Sequence, residues 1–359
     1  MCPVKARSTM SPCRLAELGL VTEGALRMAP ILALPRLLAD HGLDADAVIR
    51  ANGCDPALFR DPENTIAYTA VRSLLERTAT VTGCPYPGLE LGRHLGLDVL
   101  GILGRAVRLA PDVGTALRTL ALEYHLHDRG SVLSLWERKR EAMFGYTIYC
   151  PDVPGTDHIY DGALAIAHNF LAELVGPDWR ATEVHLYREK PEDIGPYRRH
   201  FRTRLRFGTA RSVIVFPTAD LARPLAEANP GAYARALREL DSLDDELGGG
   251  FAGKVRRLLR QLLITEPGPH GVKLRDVAPL FALHPRTLNR RLRAEGATFS
   301  AILTEVRYEV ARQLLRDTHL QTRDIAFVLG YSDSASFNHA FRRWSGTTAT
   351  QWRSSYSSS

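Results

Sequence analysis

Near the C-terminus, two short stretches carry the residue types that read nucleic-acid bases, and they carry them at matching places. Arg286, Asn289, Arg290 and Arg293 stand in the first. In the second, Ser334, Asn338, His339 and Arg342 are set so that Asn338 falls 49 residues after Asn289, and His339 the same distance after Arg290. Arg can donate two hydrogen bonds to guanine O6 and N7, and Asn can pair a donor and an acceptor with adenine. Each such contact discriminates between bases by about 1–3 kcal/mol.

Helices must hold these side chains on one face. At about 100° per residue, Leu288 and Leu292 lie within about 40° of each other and mark a buried stripe, whereas Arg286, Asn289, Arg290 and Arg293 fall about 100–200° away. Phe337 and Phe341 supply the stripe in the second helix and turn Ala335, Asn338, His339 and Arg342 outward. One polar helix face is commonly only a solvated surface; two equivalent ones in a basic segment favour DNA.

Each stretch lies in a repeated unit, LRDVAPLFALHPRTLNRRLRAEG at Leu274 to Gly296 and TRDIAFVLGYSDSASFNHAFRRWSG at Thr322 to Gly346. Both open on Arg-Asp, an aliphatic residue and Ala, then turn and restart as a second helix. Helices crossing steeply need a small residue at their closest approach, which Ala278 and Ala326 supply. Pro285 suits a first helical position. Ser332 is expected to cap the matching helix, with Asp333 complementing its positive end. Between the units, Ile302, Val306, Val310 and Leu314 predict one helix over Phe299 to Arg316, about 26 Å long. Such a spacer would set two recognition helices roughly 34 Å apart, one DNA turn, with bending of the duplex adding selectivity.

Charge follows the same division. Residues 271–359 hold 13 Lys and Arg against 7 Asp and Glu, a balance of +6 that equals the formal charge of the whole chain, so the preceding residues sum to zero. A basic segment joined to a neutral one suits a nucleic-acid-binding domain attached to a sensing or assembly domain.

These residues resemble the AraC/XylS family of bacterial transcription regulators. The resemblance covers the last hundred or so residues, and DIAFVLGYSDSASFNHAFRRWSGTT at Asp324 to Thr348 is close to that family's signature; Ala349 stands where the family often has Pro. It implies base-reading helices at Pro285 to Ala294 and Asp333 to Arg343. The base readers would be Arg286, Asn289 and Arg290 in one and Ser334, Asn338 and His339 in the other. NGCDPALFRDPENTI, GILGRAV, LVGPDWRATEVHL and PYRRHFRTRLRFGTARSVIVF resemble the arabinose-binding-like, effector-type domain of the subgroup related to ornithine and arginine-catabolism regulators and mycobacterial VirS. The implied partners are double-stranded promoter DNA, a small-molecule effector, RNA polymerase and a second copy of the chain. Activation and repression both stay open, as does an N-terminal domain that serves only for dimerisation.

The sequence divides accordingly into a flexible leader at 1–28, an effector-sensing or dimerisation domain at 29–240, a linker at 241–252 around Gly248, Gly249 and Gly250, and a DNA-binding domain at 253–359. The expected fold is an α+β N-terminal domain with a small mixed or antiparallel sheet, followed by an all-α domain of two helix-turn-helix modules joined by a long helix. Helical spacing marks Ala70 to Val81, Val113 to Tyr124, Asp157 to Val175 and a short basic helix at Lys254 to Leu263. Strand patterns mark Ser131 to Glu137, Ala142 to Tyr149, Thr182 to Arg188 and Ser212 to Pro217.

Other chemistries find little support. His125, His127 and Asp128 form a HxHD string without a third histidine at a ligand spacing, so no metal is expected. Gly101 and Gly104 lack the full dinucleotide fingerprint. No GxSxG, HExxH or GKS/GKT string occurs, so neither an enzyme nor a cofactor is expected. Cys2, Cys13, Cys54, Cys84 and Cys150 are scattered, against zinc and disulfides and in keeping with the cytoplasm. No apolar run approaches the roughly 18 residues that span a bilayer. Trp136, Phe144, Tyr146 and Tyr149 line an effector pocket or form the core of the sheet, and no ligand-binding residue is assigned.

Overall fold

The computed structural model describes residues 24–148, 156–209, 211–246, 250–265, 271–281, 283–317 and 320–357. The chain forms two compact units that divide between Leu240 and Asp241.

The first unit carries β1 (Ala25–Arg27), α1 (Leu34–Asp40), α2 (Ala45–Ala51), β2 (Thr65–Ala67), α3 (Tyr68–Thr82), α4 (Pro87–Gly92), α5 (Ile102–Arg108), α6 (Val113–Glu123), β3 (Ser131–Glu137), β4 (Glu141–Ile148), α7 (Asp157–Val175), β5 (Glu183–His185), α8 (Gly195–Phe201), β6 (Arg204–Arg206) and β7 (Ser212–Pro217). The main sheet has the order β3-β4-β7-β5-β6. Its pairings are antiparallel except β5 with β6, which makes it mixed. β7 buries Ser212 through Phe216 without alternation, as a central strand covered on both faces does. The long α7 packs on the sheet, with Phe170 set edge-on to Phe144 at 5.7 Å. α4 lies against α7 so closely that a Cβ at Gly88 would collide with the carbonyl of His158, which only glycine avoids.

Three expectations about this unit change. Residues 24–28, assigned above to the leader, belong to the fold: Ala25–Arg27 pairs with Thr65–Ala67, and Met28 is fully buried. An apolar Ala-Leu pair can serve as a strand, and β2 gives it a partner; the rest of the leader lies outside the described residues. Thr182 to Arg188 shortens to Glu183–His185, because β6 pairs with three residues only. Phe144 is core, Trp136 is half-exposed at the sheet face, and Tyr149 lies outside the described residues.

The second unit contains α10 (Gly250–Thr265), α11 (Leu274–Val277), α12 (Pro285–Ala294), α13 (Phe299–Asp317), α14 (Thr322–Val328), α15 (Ser334–Ser345) and α16 (Ala349–Ser357). It begins in the last turns of α9 (Pro230–Glu246). The linker expected at 241–252 therefore contracts. The acidic residues Asp241 and Asp244 are helical because α10 supplies their counter-charges: Lys254 pairs with Asp241, and Arg257 donates to both oxygens of the buried Asp244 at 2.6 Å. Helix resumes at Gly250, and Gly248 and Gly249 lie outside the described residues.

α10 packs along α13, latched by Arg256 to Glu305 at 2.6 Å and Arg260 to Glu309 at 2.5 Å. The buried stripe of α13 is Ile302, Val306, Val310, Ala311 and Leu315. Leu315 replaces the expected Leu314, which is half-buried, because a strict four-residue step drifts about 40° per turn around the helix. Among the described residues, no helix is long and apolar enough to cross a membrane.

Candidate nucleic-acid interface

Each recognition helix is positioned by its own short scaffold. In the first module α11 continues into a 3-10 turn at Ala278–Phe281, and α12 starts with Pro285 in its first turn. His284 caps α12, its imidazole accepting from the Arg286 N–H at 3.3 Å. The far end of α12 is tied as well: the Glu295 carboxylate accepts from the backbone N–H of Phe251 at 2.9 Å and of Ala252 at 2.8 Å. One side chain thus satisfies two orphan donors at the start of α10 and joins that helix to the end of α12.

In the second module the cap is Asp333 rather than the expected Ser332. Its carboxylate accepts from the Ser336 N–H at 2.7 Å, while Ser332 donates its hydroxyl to Asp333 at 2.8 Å. Asp and Ser are about equally good N-caps, and the turn places Asp333, with extended backbone immediately before Ser334, at the cap position. These hydrogen bonds hold the Asp333 carboxyl below its usual range. The turn before it requires Gly330: φ is +75° there, and a Cβ would collide with Gly271. The guanidinium of Arg307 lies over the ring of Tyr331 at 4.9 Å, closing the same corner.

The small residues at the helix crossings, Ala278 and Ala326, are buried, as are the stripes Leu288 with Leu292 and Phe337 with Phe341. On the opposite faces, Arg286, Arg290, Arg293, His339 and Arg342 are exposed. Asn289, Ser334 and Asn338 are only half-buried, a partial departure from the outward placement read off the helical wheel. The amide oxygen of Asn338 is buried and has no hydrogen-bond partner in the structure. Arg343, missed above, is also exposed. It lies about 200° from Phe341 on the wheel, a position that marks it as outward. Arg291 is exposed too, but its guanidinium sits over the ring of Phe251 at 5.6 Å.

Of the HxHD string in the first unit, His127 and Asp128 are buried in the core, and no group of three metal-ligating side chains occurs among the described residues.

Two helix-turn-helix modules with buried stripes and basic outward faces define a DNA-binding transcription regulator. Residues 42–225 match the model of the N-terminal arabinose-binding domain of AraC transcription regulator, and residues 277–355 match that of a helix-turn-helix domain. The chain belongs to the AraC family of transcription regulators. It is 27% identical to the ornithine utilization regulator of Pseudomonas aeruginosa over 323 residues, covering 89% of this chain and 94% of the relative. It is 26% identical to the HTH-type transcriptional regulator VirS of Mycobacterium tuberculosis over 319 residues, covering 88% and 93%. Among solved structures, the transcriptional regulator CdpR of Pseudomonas aeruginosa aligns at 26% identity with a TM-score of 0.44, covering 89% of this chain and 97% of that one. The N-terminal family model and both curated relatives are named for transcription or utilization regulators.

Proposed function

We propose that the protein binds promoter DNA with α12 and α15 in successive major grooves, and that a small molecule held by the first unit changes this binding. The observation that supports the reading is the matched pair of recognition helices, each with a fully buried apolar stripe and cations on the opposite face. Arg286, Asn289, Arg290 and Arg293 act from the first helix and Ser334, Asn338, His339 and Arg342 from the second. For Asn338 to offer both halves of its amide to adenine, its oxygen must turn out of the buried position it occupies here. The protein acts in the cytoplasm as a homodimer and meets RNA polymerase at the promoter.

Selection of bound sequences from random DNA by the full-length protein tests the reading, followed by titration of the selected operator at several salt concentrations. A defined sequence bound with a steep salt dependence supports it; equal affinity for selected and random DNA contradicts it. The second reading, in which the first unit only dimerises, gains weight if no small molecule alters operator affinity or thermal stability.

A further inference from the structure

The first unit encloses a cavity between the sheet and α7, closed by α3 and the segment around β1, with Leu75, Leu133, Ile166 and Phe170 among its walls. The cavity measures about 60 Å³. One water needs about 10–15 Å³ by such a measure, and a cavity of about 150 Å³ holds benzene, so the space suits a molecule smaller than a benzene ring.

The polar part of the lining is particular. Asp128, almost fully buried, already accepts from the Gly130 N–H at 2.9 Å, Ser131 Oγ at 2.6 Å, Tyr68 OH at 2.5 Å and Tyr146 OH at 3.3 Å. Its acceptor capacity is largely spent inside the fold. His127 is 2% exposed and His158 half-buried; both line the cavity, and the Nδ1 atom of each is buried without a hydrogen-bond partner. Burial, with the nearby Arg27 charge, pushes the His127 pKa down to about 3, and burial lowers that of His158, so both rings are neutral near pH 7. A buried polar atom left unmatched is destabilising, and a ligand hydroxyl or carbonyl would relieve it. Among the described residues neither Lys nor Arg lines the space, so a carboxylate or phosphate would meet no counter-charge. The apolar walls would leave most hydroxyls of a sugar unmatched.

We propose that this cavity is the ligand site of the first unit, and that it takes a short, uncharged, mainly apolar molecule with one hydrogen-bonding group directed at His127 or His158. The assignment rests on the reading of that unit as a sensor.

The test uses the full-length protein with ¹⁵N-labelled histidines and four probes: 1-propanol, propionate, propylammonium and L-arabinose. The expected result is a saturable shift of the His127 or His158 ring nitrogens with 1-propanol, and at least tenfold weaker binding of the other three. Ala167→Leu, which narrows the cavity, should abolish the shift. Ala163→Val is a milder second variant, with circular dichroism checking that each stays folded. Tighter binding of propionate, propylammonium or L-arabinose overturns the proposal. So does the absence of a saturable shift with 1-propanol, or its survival in a folded cavity-narrowing variant. Operator affinity is measured in the same samples: binding of 1-propanol with operator affinity unchanged upholds the site and contradicts its role in control of DNA binding.

Discussion

The two helix-turn-helix modules share a plan but differ in how the plan is secured. The first is the more basic, with Arg286, Arg290, Arg291 and Arg293 on one ten-residue helix, and its leading helix breaks into a 3-10 turn after four residues. The second has a continuous leading helix, a carboxylate cap and an aromatic cluster. Tyr308 lies 5.8 Å from Phe341, Tyr331 lies 5.9 Å from Phe337, and Trp352 packs edge-on to Phe341 at 6.1 Å. The difference teaches that charge and core are distributed unequally: the first recognition helix carries more cations, and the second is backed by more of the aromatic core that fixes it in place.

The largest effect expected from this contrast is on stability. Phe337→Ala should cost about 3–5 kcal/mol in denaturant unfolding, since the ring is fully buried within the cluster. Leu288→Ala should cost less, about 2–5 kcal/mol at the lower end; a larger loss at Leu288 would reverse the ranking of the modules. Next comes base reading. Arg290→Ala should weaken binding to the selected operator by about 1–3 kcal/mol while binding to random DNA changes much less. Equal losses on both would make Arg290 a phosphate contact. Smaller again is the tie between α12 and α10: Glu295→Ala should lower stability by about 1 kcal/mol by removing the acceptor for two helix-start N–H groups, as thermal unfolding would record.

The smallest effect concerns pH. The Asp333 carboxyl titrates below its unfolded value of 3.8 because the Ser336 and Ser332 hydrogen bonds favour its charged form. Its contribution is therefore complete above that value and lost as pH falls through the lower, folded one. The wild type and Asp333→Ala should differ in thermal midpoint at pH 7 and converge as pH falls below 3.8. A constant difference across that range would mean that the cap acts through packing.

Much of this could be read from residue order. The recognition helices, the connector, β3 and α7 follow from apolar spacing that matches one structural period, β7 from a short unbroken apolar run, and the buried faces of α12 and α15 from the helical wheel. The failures have local causes. Ser332 and Asp333 are both good caps, and only the geometry of the turn decides between them. The DSLDDE segment has the composition of a linker, yet Lys254 and Arg257, more than ten residues away, make it helical. Asn338 falls on the outward arc by periodicity, but the arc does not reveal that its amide oxygen turns inward. Of the cavity in the first unit, only Tyr146 is among the residues that the sequence offers for a pocket; the rest could not be seen, because its walls come from segments spread between Leu26 and Phe170.

The central claim is that both modules read one duplex together, and footprinting of the full-length protein on its selected operator tests it most directly. Two protected segments about 10 base pairs apart on one face of the DNA are expected, with Arg290→Ala relaxing sequence preference in one and His339→Ala in the other. A single protected segment, with preference unchanged by substitutions in one of the two helices, would contradict it.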